Sequence, residues 1–231
     1  MLKFKVEKPY VCQYCGHGYM QEKTLAVHLC EQKRRYLAKD DKAVVIGYQA
    51  FNRFFQITQK HGENKTYEEF SRSPYYNAFV KFGSYISNVN PLYPTKYIDY
   101  VITSGVKLDH WCRDELYEKY VINLIHTEGV ETALERSIKH MESWAKDNNS
   151  LWNHYFLYVS SNRAVFDIKD GKISPWLILN STSGKNMLTN LRDDQLSAIS
   201  SIIDPQIWSK KFRKQTFDLE LVKNIVKESN L

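Results

Sequence analysis

Four residues near the N-terminus have the types and spacing of a metal site. Cys12 and Cys15 are three positions apart, His28 follows, and Cys30 lies two residues beyond it. Thiolate and imidazole groups bind Zn²⁺ as a tetrahedral set, and a mixed set suits zinc better than iron or copper. Three of the four cysteines fall in this stretch, and in a reducing compartment such clustering indicates metal rather than disulfides. We therefore predict one structural zinc ion held by these four residues.

The stretch around these residues resembles a Cys2His2-type zinc finger through its first three ligands. Tyr10, Tyr19 and Leu25 occupy the positions of that family's three core apolar residues, and Gly16 suits the tight turn after the second cysteine. The resemblance implies a ββα module, in which zinc and a few apolar side chains replace a larger core. It covers only a short part of the 231 residues and implies nothing for the rest.

The fourth ligand departs from that family. Residues two apart on an α-helix point about 200° apart. His28 and Cys30 can therefore bind one ion only if the finger helix ends at His28 and Cys30 returns from a non-helical turn. A new helix would then begin near Glu31. Three other ligand sets are open: one with His17, one with Cys112, and one with three protein ligands and a water. An interpretation without metal is open as well.

The family's base-reading positions correspond here to Gln21, Lys23, Thr24 and Val27. Gln21 and Thr24 could contact base edges in the major groove, whereas Val27 and the nearby Glu22 suit DNA poorly. One finger spans only about 3 bp and is too small for sequence specificity alone.

Positive charge is concentrated near the finger. Residues 1–40 contain eight basic and four acidic residues, a net charge of +4, and the whole chain has +6. We predict that Lys33, Arg34 and Arg35 contact phosphates; the alternative is a solvated helical turn. A second basic stretch, "SKKFRKQ" at 209–215, has Phe212 among its cations. It would either extend a nucleic-acid surface or form an exposed helix face.

The remainder of the chain is typical of a mainly α protein. Gly and Pro number only 9 and 6, and amphipathic stretches follow one another closely. We predict one continuous helix from Glu31 to near Gly62. A capping box at 66–69 predicts the start of a later helix, and glycines at 105 and 129 predict helix boundaries further along the chain.

The only strand pattern after the finger surrounds Asp170 and Gly171, a favoured hairpin turn, and predicts a β-hairpin at about 164–179. Three further helices close the chain. The predicted fold class is mainly α, with an N-terminal ββα zinc finger (1–35) joined to a helical domain (36–231) that contains this small hairpin.

The sequence contains no pattern that indicates catalysis, export or membrane insertion. The acidic and histidine residues at 109–118 match no metal or nuclease spacing. Gly184 and Lys185 lack the first glycine of a P-loop and are predicted to lie in a loop. The N-terminus has no signal-peptide pattern, and no stretch approaches the ~18 apolar residues of a membrane span. We expect an intracellular, soluble protein with no catalytic residues and no membrane partner.

The expected function is that of a zinc-finger nucleic-acid-binding accessory protein, with DNA favoured. A composition rich in Lys, Asn and Tyr resembles that of proteins from AT-rich genomes, including tailed phages. A viral protein of this kind would act in the host cytoplasm, in transcription, replication or DNA packaging. The alternative is a protein–protein adapter or structural component that uses the zinc module as a docking knob. An enzyme with an unrecognised helical active site is a third option.

Overall fold

The computed structural model describes residues 8–59 and 63–231. Within these ranges the chain forms two short antiparallel strands and fifteen α-helices. The strands pair Tyr10 with Tyr19 and Val11 with Gly18. The mainly α fold class and the N-terminal hairpin followed by a helix are thus confirmed.

The chain divides into two compact units, the first of which ends at Arg113. The elements of this unit are β1 (Tyr10–Val11), β2 (Gly18–Tyr19), α1 (Glu22–Val27), α2 (Glu31–Leu37), α3 (Lys42–Thr58), α4 (Tyr67–Arg72), α5 (Tyr76–Val89) and α6 (Pro94–Thr103), followed by a 3₁₀ turn at Leu108–His110.

The second unit begins at Asp114. Its elements are α7 (Asp114–Thr127), α8 (Val130–Asp147), a 3₁₀ turn (Trp152–His154), α9 (Tyr155–Tyr158), α10 (Ser161–Lys169), α11 (Pro175–Ile178), α12 (Thr182–Thr189), α13 (Asp193–Ile199), α14 (Pro205–Lys214) and α15 (Thr216–Glu228). Residues 36–231 are therefore shared between the two units, and the boundary after residue 35 remains a prediction.

The centre of the first unit is the crossing of α3 and α5. The two helices approach closely at Gly47 and Gly83, where no side chain would fit. A Cβ atom at Gly47 would lie 2.7 Å from the carbonyl oxygen of Phe79, and one at Gly83 would overlap the carbonyl oxygen of Ala43. These glycines are used for close backbone approach.

The continuous helix predicted from Glu31 towards Gly62 is wrong. α2 ends at Leu37 and α3 begins at Lys42, while Gly62 lies outside the described residues. Asp40 and Asp41 stand just before α3, and Asp41 is its N-cap in an extended conformation. Carboxylates are favoured at the positive N-terminal end of a helix, which explains why a new helix starts here.

The hairpin predicted at 164–179 is also wrong, because this segment contains α10 and α11. Asp170 and Gly171 form the end of α10, with Gly171 at a φ of 72°. The N–H of Gly171 donates to the carbonyl of Ile168 at 2.9 Å, and that of Lys172 to the carbonyl of Asp167 at 2.8 Å. These two bonds make a Schellman cap. An Asp–Gly pair suits this cap as well as a hairpin turn.

The segment at Gly184, predicted to be a loop, is the helix α12. The Ser181 hydroxyl caps this helix by accepting the N–H of Gly184 at 3.1 Å. A Cβ atom at Gly184 would lie 2.6 Å from the carbonyl oxygen of Ile178. Packing therefore explains the glycine.

Among the helices of residues 8–59 and 63–231, none combines the length and apolar character needed to cross a bilayer.

Candidate metal centre

The side chains of Cys12, Cys15, His28 and Cys30 converge beside the β1–β2 hairpin. One ligand atom from each lies within 4.8 Å of all the others. The sulfurs of Cys12 and Cys30 are 4.0 Å apart, and the Cys15 sulfur is 3.3 Å from His28 Nε2. Metal–sulfur bonds of about 2.3 Å in a tetrahedron separate two sulfurs by about 3.8 Å. The cluster can therefore hold one metal ion.

The turn between β1 and β2 presents the first two cysteines. The N–H of Cys12 donates to the carbonyl of His17 at 2.9 Å, and the N–H of Gly16 to the carbonyl of Cys12 at 2.8 Å. Gly16 has a φ of 70°, which favours glycine. The tight turn inferred at this position is present.

The electrostatics of the two turn cysteines fit a cation. Burial opposes ionisation of Cys12, but backbone N–H groups of Cys15 and Tyr14 stabilise its thiolate and lower its pKa. A backbone N–H from His17 also favours the Cys15 thiolate, yet burial and the neighbouring thiols raise the pKa of Cys15. Thiolates that repel one another at close range are stabilised together by a metal cation.

The helix interruption needed by the fourth ligand is present. α1 ends at Val27, and His28 is extended, with φ −67° and ψ 122°. Cys30 is extended as well, with φ −73° and ψ 165°, and is the N-cap of α2. Its sulfur accepts the N–H of Lys33 at 3.4 Å. Because the chain is not helical between the two ligands, both reach the same point.

Tyr19 orients the histidine ligand, a role that the sequence did not reveal. Its hydroxyl lies 2.7 Å from His28 Nδ1, while Nε2 is the nitrogen near Cys15. With Nε2 on a metal, Nδ1 carries the proton and donates it to the Tyr19 oxygen, a contact of the kind that fixes ring orientation in metal sites. The finger-like pattern had assigned Tyr19 only an apolar position.

The rival ligands lie elsewhere. Neither His17 nor Cys112 belongs to the cluster formed in the described part of the chain. The His17 ring packs edge-on against Tyr19, with centroids 4.8 Å apart. Cys112 is half-buried, and burial raises the pKa of its thiol despite the charge of Lys81.

The module around the cluster has almost no core of its own. Among residues 8–30 only Cys12 is buried, at 4% exposure, and α1 buries no residue. Leu25 and Tyr19 are half-buried, and Tyr10 is exposed. A segment that buries so little needs another source of stability, and a bound metal ion supplies it in small domains of this kind. The donor set and its surroundings therefore fit a structural metal.

The predicted base-reading residues are accessible. Gln21 is the N-cap of α1, and Lys23 and Thr24 lie in its first turn; all three are exposed. Val27, at the end of the same helix, is 81% exposed.

Lys33 and Arg34 differ in how they present their charge. The Lys33 ammonium group donates to the carbonyl of His28 at 3.2 Å, so it lies against the segment that carries the metal-binding cluster. Arg34 is exposed, and among the described residues no ion pair or side-chain hydrogen bond holds its guanidinium.

Arg35, predicted to contact phosphate, instead points into the first unit. Its side chain is only 12% exposed and pairs with Glu31. The guanidinium donates to the carbonyl of Ser71 at 2.6 Å and lies 4.4 Å from the ring centroid of Tyr76. The Tyr67 hydroxyl donates to the carbonyl of Arg35 at 2.5 Å. These contacts connect α2 to α4 and α5.

Comparison with family models, with curated proteins and with solved structures finds no match to this chain.

Proposed function

We propose that the chain binds one structural zinc ion and uses the zinc module to contact nucleic acid, with DNA favoured. The observation that supports metal binding most strongly is the convergence of three sulfurs and one imidazole nitrogen within 4.8 Å of one another. Zn²⁺ is favoured because such a mixed set suits its tetrahedral preference. Four protein ligands leave no open position for substrate, so the ion is structural.

The proposed nucleic-acid surface combines α1 with the start of α2. Gln21 at the N-cap of α1 is exposed, as are Lys23 and Thr24 in its first turn. Arg34, four residues after Cys30, is exposed as well. An amide and a hydroxyl can hydrogen-bond to base edges, and the cations to phosphates. Since one finger covers about 3 bp, phosphate contacts supply most of the affinity. Arg35 is excluded from this surface because protein groups hold its guanidinium.

The direct test is titration of duplex and single-stranded DNA at several salt concentrations. We expect affinity to fall steeply with log salt, with a slope of about −0.9 per phosphate contact. The double variant Lys23→Gln with Arg34→Gln should flatten that slope by about 2. The matched control is Lys81→Gln with Lys107→Gln, two exposed lysines of the same unit, and it should leave the slope unchanged. Absence of binding at ~50 mM salt would contradict the proposal.

One observation favours the second candidate, a protein–protein adapter. The small zinc module exposes several large apolar side chains, at 48–81% of their surface: Val11, Met20, Val27 and Leu29. Large apolar side chains exposed together on a small module are typical of a surface that another protein covers when they form one patch. Failure of DNA binding, together with capture of a defined host protein that Val27→Ser abolishes, would support this candidate. An accessory role in viral transcription, replication or packaging rests on composition alone.

A further inference from the structure

A basic cavity in the second unit is built from residues remote in sequence from the metal module. It is open to solvent, has a volume of about 470 Å³, and lies between the C-terminal end of α7 and one face of α14. Its lining residues are His126, Thr127 and Glu128 on one side, and Ile207, Lys210, Lys211, Lys214 and Gln215 on the other.

The spacing of the α14 residues explains the concentration of charge. Positions 207, 210, 211 and 214 follow the i, i+3, i+4, i+7 pattern of one helix face. Three of these four residues are lysines, so one face of α14 directs three cations at a single cavity. The basic stretch "SKKFRKQ" is therefore not a uniformly solvated helix face, because three of its lysines line the same cavity.

The middle lysine is held in place by the protein. Lys211 Nζ donates to the carbonyl of His126 at 3.0 Å and lies 4.9 Å from the ring centroid of Trp208. The neighbouring Phe212 packs on Trp176, with ring centroids 5.0 Å apart. Phe212 thus packs against Trp176 and does not face the cavity as a free aromatic ring. Lys211 is a cation of the cavity lining that the His126 carbonyl holds in place.

Two acceptors on the opposite wall, the Glu128 carboxylate and the His126 carbonyl, already have partners. Glu128 is almost fully buried, and its carboxylate makes two bonds with Arg136, one of 2.6 Å. The carbonyl of His126 accepts from Lys211. Neither group is left to neutralise the remaining lysines of the cavity.

Lys210 and Lys214 are exposed and stand one helical turn apart. Among the described residues, neither takes part in an ion pair or a side-chain hydrogen bond. Like charges at this spacing destabilise a helix. The helix dipole favours cations in the last turn of α14, but it does not require two of them to face one cavity with a third. A bound anion would offset this repulsion.

We propose that this cavity binds a phosphate-bearing ligand through the ammonium groups of Lys210 and Lys214, with Lys211 as a third cation in the lining. The phosphate could belong to a free phosphorylated compound or to a nucleic-acid backbone, since both present the same anionic oxygens. The site shares no residue with the zinc module, so it does not depend on the proposed function.

The test uses the full chain and inorganic tripolyphosphate as the probe. Calorimetric titration should show binding by the wild type, and Lys210→Gln with Lys214→Gln should raise the Kd about tenfold or more, because two charge-assisted contacts are lost. The control is Lys119→Gln with Lys185→Gln, two exposed lysines of the same unit; it makes the same charge change and should alter the Kd less than about twofold. Amide NMR shifts on binding should concentrate at residues 126–128 and 207–215.

Two results would overturn the proposal: no binding of tripolyphosphate by the wild type, or an equal loss in the control variant. A second arm, with a single-stranded oligonucleotide, identifies the source of the phosphate. If Lys210→Gln with Lys214→Gln weakens both ligands, the site accepts a nucleic-acid backbone; if it weakens only tripolyphosphate, the ligand is a free phosphorylated compound. DNA binding that fails while tripolyphosphate still binds would contradict the function proposed for the zinc module and leave this site standing.

Discussion

The sulfur of Cys30 accepts the backbone N–H of Lys33 at 3.4 Å, so one residue of the four-residue metal-binding cluster is also the N-cap of α2. The same sulfur lies 4.0 Å from that of Cys12. Further along α2, the Arg35 side chain donates to the carbonyl of Ser71, which lies in α4. The metal site is thereby connected to the helices behind it through one short helix, without a flexible linker.

Two substitutions at Cys30 should separate its two roles. Cys30→Ser keeps a side-chain acceptor that can cap α2 but removes one thiol of the metal-binding cluster, whereas Cys30→Ala removes both. We expect both variants to lose stoichiometric zinc, and Cys30→Ala to be less stable than Cys30→Ser by about 1 kcal/mol. Metal analysis and urea unfolding measure the two effects. Full zinc retention by Cys30→Ser would show that another group closes the site.

Adjacent arginines of α2 should behave differently. Arg35→Ala removes a largely buried guanidinium with hydrogen bonds to backbone carbonyls, and should lower the free energy of unfolding of the first unit by about 2 kcal/mol. Arg35→Lys should restore little of it, because an ammonium group cannot reproduce the stacked, forked contact. Arg34→Ala, at an exposed position, should change stability by less than about 0.5 kcal/mol. Equal effects on stability at the two positions would refute the inward placement of Arg35.

The α3–α5 crossing should not tolerate a side chain at Gly83. A Cβ atom there would overlap the backbone of Ala43, so Gly83→Ala should destabilise the first unit by about 3 kcal/mol. At Gly129 nothing lies within 4 Å of an added Cβ, and Gly129→Ala should cost less than about 1 kcal/mol. Thermal unfolding of the two variants gives the comparison, and a Gly83→Ala protein as stable as the wild type would argue against this crossing.

A buried carboxylate should make the second unit sensitive to acid. Burial of Asp167 opposes its ionisation, but hydrogen bonds from His140 and Arg163 overcome this and lower its pKa to about 2. Because the folded pKa is below the ordinary value of 3.8, the stabilisation is present above about pH 4 and is lost as the pH falls towards 2. It amounts to about 2 kcal/mol. Urea unfolding between pH 5 and pH 2 should show this loss in the wild type.

The variant Asp167→Asn provides the control for this pH effect. It should be less stable at neutral pH, because a neutral amide loses the ion pairs that the buried Asp167 carboxylate makes with Arg163 and Lys172. Its stability should also lack the component lost between pH 4 and 2. Identical pH profiles for the two proteins would exclude Asp167 as the source.

How far the sequence could predict this structure differs between sites. The spacing of Cys12 and Cys15 predicted the metal turn, and the need for His28 and Cys30 to share one ion predicted the end of α1. Both inferences follow from local geometry. The inward turn of Arg35 could not be foreseen, because the Ser71 carbonyl and the Tyr76 ring that it contacts lie more than thirty residues away in the sequence. Asp170 and Gly171 misled because the same pair suits a hairpin and a helix cap.

The central claim is most directly tested by metal analysis of freshly purified protein combined with amide hydrogen exchange before and after chelation. We predict one zinc ion per chain. Removal of the ion should abolish protection of residues 10–30, because Cys12 is the only buried residue of that segment. The helices of the second unit should stay protected. Substoichiometric metal, with unchanged protection of residues 10–30 after chelation, would contradict the account.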